Sequence, residues 1–333
     1  MGSVGGFERP LVDQSGVTFA YYDEVRSGPL AGVGWGQRLA SMIQIVVGIV
    51  QALALVIKRK PNALLLTGGW VGFPVAVATW LLRVPSLIYL PDVEPGLAIK
   101  VLQRFARQIA VSVPDSERYF PAGKTIVTGY PLRGMMRGAA REDATAHFGL
   151  DPARRTLLVF GGSRGAQSIN TALARSLPDL LTDGVQVLHI SGTHDWAQVE
   201  ASRAALPDAT HYHAFPYLHG DMGMALAAAD LAVSRAGAST LGEFPTFRLP
   251  SILVPYPFAW RYQKVNADFL AERGAAVVMK DADMAADLLP TIRALLGDPA
   301  RLAAMRAAAG ELAQADSAWR IGQALLRLAG EQA

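Results

Sequence analysis

Two glycine-rich turns, Gly68-Gly69-Trp70-Val71-Gly72-Phe73-Pro74 and Gly161-Gly162-Ser163-Arg164-Gly165-Ala166, are the segments of this sequence best suited to hold phosphate. Each follows a short apolar run, Ala63–Thr67 and Thr156–Phe160, and each leads into a stretch of helical character. A strand that turns through glycines into a helix presents backbone N–H groups and the positive end of the helix dipole, and both favour an anion. The turns lie 93 residues apart, from Gly68 to Gly161. That spacing implies two α/β halves facing a shared cleft, an arrangement for joining two phosphate-bearing substrates.

The second turn also fits the G-x-S-x-G elbow, in which Ser163 would be a nucleophile. Such a hydrolase needs a histidine after its last strand, and no histidine follows His219. The Gly-Gly pair before Ser163, and Gly165-Ala166 opening the helix, favour the phosphate reading. Neither the G-x-G-x-x-G spacing nor the Lys-Ser/Thr of a P-loop is present. A third strand–turn–helix junction, Ser234 to Glu243, puts Glu243 in the first turns of a helix. It would act there as a dipole-favoured cap or as a grip for a sugar diol. The proline-bracketed loop Pro255–Ala267 runs into a helix on which Gln263 and Asn266, three apart, share a side. These junctions mark the ends of consecutive strands, the ligand edge of an open α/β sheet. Asp281-Ala282-Asp283 matches a metal-holding D-x-D pair, but its place between a strand and a helix is explained by N-capping. The histidines have no metal spacing, and no metal is expected.

The elements around these turns alternate between strand and helix, which implies parallel sheets covered on both faces. Strands are expected near Val17–Ala20, Ala63–Thr67, Ser86–Leu90, Ala110–Val113 and Thr125–Thr128, then near Thr156–Phe160, Val185–Ile190, Thr210–Phe215, Leu231–Ser234, Ser251–Pro255 and Ala275–Met279. A helical tail rich in alanine, leucine and arginine occupies Pro299–Leu328. The expected division is residues 1–135, residues 136–316 and a closing helix over 317–333 that packs back on the first domain. The first half lacks the strand and glycine turn with which a doubly wound domain opens.

At 333 residues the chain can bury two cores. It is 51% hydrophobic and 18% charged, with a net charge of +3 and no cysteine. The lack of cysteine excludes disulfides and thiolate metal sites and fits a cytoplasmic setting. No basic block or basic–aromatic interleaving points to nucleic acid. The N-terminus has no basic head followed by an apolar core. Between Arg38 and Lys58 there is no charge, and Met42 to Ile57 is almost wholly apolar. A spanning helix wants ~20 such residues, so this run reads as a packed helix or as one that rests on a bilayer surface.

In this order, the two glycine turns, Arg235 to Glu243 and the Gln263/Asn266 pair resemble the MurG family of glycosyltransferases. Pro95-Gly96-Leu97, Gly129-Tyr130-Pro131-Leu132-Arg133, Ser191-Gly192 and Tyr217-Leu218-His219-Gly220-Asp221-Met222 support the likeness, which runs from about Gly5 to the C-terminus. The resemblance implies a GT-B fold of two Rossmann-like domains, the N-terminal one incomplete. It also implies transfer of N-acetylglucosamine from UDP-GlcNAc to a polyprenyl-pyrophosphate-linked muramyl peptide, lipid I to lipid II, with inversion and no cofactor. The donor would meet Gly162, Ser163, Arg164, Gly165, Ala166, Arg133 and Ser191 at its diphosphate. Tyr217 and Leu218 would meet the uracil, Glu243 the ribose, and Gln263 with Asn266 the sugar. Gly68, Gly69, Trp70, Val71, Gly72, Pro95 and Gly96 would take the acceptor.

The Met42–Ile57 helix becomes a resting face on an anionic membrane, at the cytoplasmic side of the inner membrane. Two departures stand out. The family's Gly-Gly-Thr-Gly-Gly-His loop, with the histidine proposed as base, is missing. Residues 1–6 read as the end of its second strand, so a late start or a truncation is expected. The family's His-Glu-Gln-Asn is here Tyr89-Leu90-Pro91-Asp92, which leaves Asp92 or Glu94 as substitute bases, unless both merely decorate a turn before Pro95. A glycolipid synthase acting on diacylglycerol, or a non-catalytic UDP-sugar binder, stand as alternative readings.

Overall fold

Apolar residues on successive positions of short runs place strands with both faces covered, and the computed structural model builds two parallel sheets on that pattern. It describes residues 1–6, 8–29, 34–136, 138–162 and 165–330. The chain divides into two compact units. One comprises Met1–Pro91, Pro95–Thr128 and Ala318–Ala333; the other comprises Asp92–Glu94 and Gly129–Ser317.

The first unit runs β1 (Gly2–Ser3), α1 (Glu8–Gln14), β2 (Glu24–Val25), α2 (Trp35–Arg59), β3 (Leu64–Leu66), α3 (Gly72–Leu81), β4 (Ser86–Leu90), α4 (Leu97–Leu102), β5 (Gln108–Val111) and β6 (Thr125–Val127). Strands β3-β4-β5-β6 form one parallel sheet, and β1-β2 form a separate parallel pair. Side chains alternate along β4. Ile88 and Leu90 face a core with Ala76 of α3 and with Ile99 and Leu102 of α4. Leu87 and Tyr89 face the other way, against Ile321, Ala324 and Leu328 from the end of the chain. The strand expected at Val17–Ala20 does not form. Its β-branched and aromatic residues find no strand to pair with, and Val17 and Phe19 remain exposed.

The second unit continues with α5 (Arg141–His147), β7 (Thr156–Phe160), α6 (Gln167–Thr182), β8 (Gln186–Ile190), α7 (Trp196–Ala204), β9 (Tyr212–Phe215), α8 (Met222–Ala228), β10 (Leu231–Ser234) and α9 (Thr240–Phe247). After these come β11 (Ser251–Leu253), α10 (Trp260–Ala271), β12 (Ala276–Val278), α11 (Met284–Leu296) and α12 (Pro299–Glu311). Its six strands are all parallel, in the order β12-β11-β10-β7-β8-β9. The chain winds outward from β7 to β9, returns to β10 on the other side of β7, and winds outward again. The reversal between β7 and β10 opens a crevice at their carboxyl ends, where ligands of such sheets bind. The helical tail is two helices rather than one. It breaks after α12, passes through Asp316 at φ 56°, and resumes as α13 (Ser317–Gly330), whose residues from Ala318 belong to the first unit.

Candidate active site

At the end of β7 the backbone folds back so closely that a Cβ on Gly161 would sit 2.3 Å from the Ala166 nitrogen. Gly162 and Gly165 have φ of 92° and 81°, the left-handed region that favours glycine. Gly165 is also pressed from below, because a Cβ there would lie 2.3 Å from the Ser191 carbonyl oxygen. Its amide donates to the Gly162 carbonyl at 3.0 Å, so this N–H closes the turn instead of waiting for an anion, contrary to the sequence expectation. The first-turn amides of α6 keep that role. Ala166 at the N-cap makes no side-chain cap bond, and the helix dipole adds its positive end. Ser163 and Arg164 lie outside the described residues.

Two adjoining cavities share Phe160, Gly162 and Ser239. The smaller, about 290 Å³, is lined by Tyr130, Arg133, Tyr217, Leu218 and Glu243 among others. The larger, about 700 Å³, is lined by Gly165, Ala166, Ser168, Arg235, Tyr256 and Gln263 among others. Glu243, in the first turn of α9, accepts a hydrogen bond from Ser239 Oγ at 3.0 Å. Burial pushes its carboxyl above the usual range, against the opposing pull of Ser239 and Arg133. Tyr130 is raised too, by burial and by the negative charges of Glu243 and Asp92.

Three of the residues read from sequence are placed differently. Ser191 is fully buried, and its hydroxyl donates to the Gly192 carbonyl at 3.0 Å, so it supports the turn from beneath. Asn266 has no exposed surface, whereas its neighbour on the same helical side, Gln263, lines the larger cavity. Asn266 Oδ1 accepts from the Val93 amide at 3.0 Å. Its Nδ2 donates to Asp92 Oδ1 at 2.9 Å and to the Ala236 carbonyl at 3.2 Å. Asp281 does not cap a helix. Its carboxylate accepts from Arg235 and, at 2.9 Å, from Ser168 Oγ, while Asp283, at the α11 N-cap, makes no side-chain cap bond.

Sequence reasoning missed two supporting networks. Arg235 Nη2 donates to Ser168 Oγ at 2.7 Å and Nη1 to the Val254 carbonyl at 3.2 Å, with the guanidinium 5.3 Å from the Tyr256 ring centre. This ties the start of α6 to the ends of β10 and β11. Beneath the turn, Tyr212 donates to His189 Nδ1 at 2.7 Å, and His189 Nε2 donates to Asn170 Oδ1 at 2.9 Å. Asn170 Nδ2 then donates to the Ser191 carbonyl and to Asp195. Burial pushes His189 down to about 4, so the ring is neutral and carries one donor and one acceptor, as this chain of bonds requires.

Of the remaining candidates, Asp92 is half-buried and Glu94 is buried; both belong to the second unit. Burial raises Asp92 above the usual carboxylate range, and the Asn266 hydrogen bond opposes it. Gly68 to Gly72, with Trp70 and Val71, turn from β3 into α3 in the first unit. Gly68 and Gly69 have φ of 98° and 77°. Gly96, after Pro95, is the N-cap of α4, and the Gly68 turn packs on Ile99 of that helix. Both therefore gather at the carboxyl ends of β3 and β4.

A crevice at the switch point of a Rossmann-ordered sheet, with a glycine turn and a carboxylate beside it, defines the nucleotide-binding half of a two-domain GT-B glycosyltransferase. Residues 156–321 match the C-terminal domain of glycosyltransferase family 28, and residues 1–111 match its N-terminal domain. The chain is 39% identical to the UDP-N-acetylglucosamine--N-acetylmuramyl-(pentapeptide) pyrophosphoryl-undecaprenol N-acetylglucosamine transferase of Roseiflexus sp., covering 96% of this chain and 81% of that one. It is 34% identical to the protein of the same name from Symbiobacterium thermophilum, covering 99% and 87%. The crystal structure of Acinetobacter baumannii MurG superposes with a TM-score of 0.78 at 25% identity, covering 98% of this chain and 89% of that one. This chain belongs to glycosyltransferase family 28, in its MurG branch.

Proposed function

We propose that this protein transfers N-acetylglucosamine from UDP-GlcNAc to lipid I, the undecaprenyl-pyrophosphate-linked muramyl pentapeptide. The observation that carries this reading is the pair of cavities meeting at Gly162 and Ser239, one sized and lined for a nucleoside and the other for a diphosphate and a sugar. Uridine lies against Tyr217 and Leu218 with its ribose hydroxyls on Glu243. The diphosphate lies over Gly162, Gly165 and Ala166 at the α6 N-terminus, with Arg133 beside it, and the sugar reaches Gln263.

The acceptor is held by Gly68–Gly72 and Pro95-Gly96 of the first unit. Its hydroxyl oxygen attacks the anomeric carbon, the bond to UDP breaks, and the hydroxyl proton passes to Asp92. The charge left on UDP is met by the α6 dipole. Calorimetric titration with UDP-GlcNAc and UDP-glucose, followed by turnover assays on lipid I, tests the whole reading. Tighter binding of UDP-glucose, or no turnover of lipid I, would overturn it.

Glu243→Ala removes the acceptor for two ribose hydroxyls, and we expect KM for UDP-GlcNAc to rise about 10- to 100-fold. Wild-type KM in steady-state kinetics would remove Glu243 from the ribose.

The membrane contact rests on α2. The helix spans 25 residues, starting earlier than the apolar run read from sequence, and is long and apolar enough to cross a bilayer. One of its faces is committed to the first unit, however, with Ala52 and Val56 packed on Val75 and Ala78 of α3. Its other face exposes Leu39, Ile43, Val46 and Val50, each about 60% or more. A helix buried along one side and apolar along the other suits the plane of a membrane surface rather than a span. Trp80 and Leu81, at the end of α3, are also exposed. Beside them Arg83, Arg104 and Arg107 line a cavity of about 450 Å³ suited to anionic headgroups. The protein thus works as a peripheral protein on the cytoplasmic face of the inner membrane. Changing Ile43, Val46 and Val50 together to glutamine should cut sedimentation with phosphatidylglycerol vesicles tenfold or more, since each apolar side chain contributes ~1.5–3 kcal/mol when buried. Turnover of a soluble acceptor should be unchanged; undiminished vesicle binding would refute this face.

A further inference from the structure

Phe258 is 89% exposed, more than any other large apolar side chain among the described residues. It does not stand on the α2 face that the membrane reading uses. It lines the larger cavity of the second unit, in a short 3₁₀ turn over Pro257–Ala259. A ring left open to water beside a ligand cavity calls for something that covers it in use.

The ring is also backed from within. Pro255 and Pro257 fix φ on either side of Tyr256. The Tyr256 ring centre lies 5.3 Å from the Arg235 guanidinium and 5.4 Å from the Phe258 ring centre, with the two rings tilted by 58°. Arg235 is itself buried and bound to Asp281 and Ser168. A fixed cation therefore supports Tyr256, and Tyr256 supports Phe258, which keeps most of its own surface free. Aromatic faces are electron-rich. A pyranose ring directs its equatorial hydroxyls outward and presents slightly positive C–H groups above and below, which such a face attracts. Gly165 and Ala166 line the same cavity, so a diphosphate at the start of α6 carries its sugar into the enclosure that Tyr256 and Phe258 wall.

We propose that Phe258, backed by Tyr256, is a stacking platform for the pyranose ring of the nucleotide sugar, and so sets the affinity for the sugar part of the donor. The inference rests on the reading of the larger cavity as the diphosphate and sugar subsite. Two prolines and a buried arginine hold the platform in place beforehand, which lowers the ordering cost when the sugar arrives.

Calorimetric titration of the full chain with UDP, UDP-GlcNAc and UDP-glucose tests this on Phe258→Ala, Phe258→Leu and Phe258→Trp. Phe258→Ala should weaken both UDP-sugars about 5- to 20-fold and leave UDP within about twofold, since UDP has no ring to stack. The unchanged UDP affinity also reports that the variant is folded. Phe258→Leu, which keeps apolar bulk without a π face, should lose as much, and Phe258→Trp should restore wild-type affinity. In steady-state kinetics Phe258→Ala should raise KM for UDP-GlcNAc by about the same factor with kcat within about twofold.

Wild-type affinity for UDP-GlcNAc in Phe258→Ala, or in Phe258→Leu, would overturn the platform. An equal loss for UDP would overturn it too, and assign Phe258 to the nucleotide. A loss confined to UDP-GlcNAc, with UDP-glucose untouched, would replace ring stacking by a contact with the acetamido group. These affinities need no acceptor, so a wild-type chain that binds UDP-GlcNAc but fails to turn over lipid I would sink the proposed transfer and leave the platform standing.

Discussion

Asp92→Asn should lower kcat by about 10²- to 10⁴-fold, the usual worth of a positioned general base, and leave KM for UDP-GlcNAc within a few-fold. The substitution keeps the shape and an oxygen to accept from Asn266 but removes the ability to take a proton. The pH profile separates this from a packing defect. Burial holds the Asp92 carboxyl above its ordinary range, so wild-type kcat should fall as pH drops through that raised value, where the carboxylate becomes protonated. In Asp92→Asn the acid limb should vanish along with the rate. Glu94 is the internal control. It sits two residues away and is buried, so an acid limb that survives Asp92→Asn and disappears in Glu94→Gln would transfer the role to Glu94. The pH dependence of single-turnover rates decides between them.

Gly165→Ala is the second large effect, and it is expected in donor binding. The added methyl must occupy a φ of 81° and approach the Ser191 carbonyl oxygen to 2.3 Å. The left-handed conformation alone costs ~1–2 kcal/mol for a residue with a Cβ. The Ser191 carbonyl cannot retreat freely, because Asn170 Nδ2 holds it at 2.9 Å and His189 holds Asn170. The turn must therefore move, and with it the start of α6. Affinity for UDP should fall about 100-fold or more. Gly162→Ala provides the contrast. Its φ of 92° is equally unsuited to alanine, but no described atom lies within 4 Å of the added Cβ. It should cost only the conformational part, about tenfold. Equal losses from the two substitutions, measured by calorimetry with UDP, would show that the carbonyl contact does not shape the site.

The glycine turns and the strands that feed them were legible because the signals are local. Thr156–Phe160 is a continuous apolar run, and the glycines that follow mark a left-handed turn whatever lies around them. The two-residue strand β2 carries too little pattern to be seen, β1 is reached through the family likeness of residues 1–6 rather than through its own pattern, and Val17–Ala20 looks like a strand only because composition cannot show that no neighbouring edge exists. Short polar helices such as α1, α5 and α7 were hidden for the same reason. Within the site, the local geometry of a helix placed Gln263 and Asn266 on one side correctly. It could not say that the side turns from open cavity to closed interior within one turn. Asp281 was read as a cap because its partner, Arg235, is 46 residues away in sequence. The Tyr212–His189–Asn170 chain joins two strands and a helix through bonds no spacing rule describes. A buried neutral histidine on a strand looks in sequence like any other.

The return of the final helix to the first unit sets an order of events during synthesis. Ile321, which covers Leu87 and Tyr89, is made 193 residues after Thr128, the last residue of the preceding part of that unit. At ribosomal speeds of ~5–20 residues per second, one face of β4 and β5 waits roughly 10–40 s for its cover. During that interval the nascent chain carries an open apolar surface in addition to the exposed stripe of α2. A fragment ending near residue 128 would keep that surface bare for good, so any expression of the first half alone has to graft residues 317–330 back onto it.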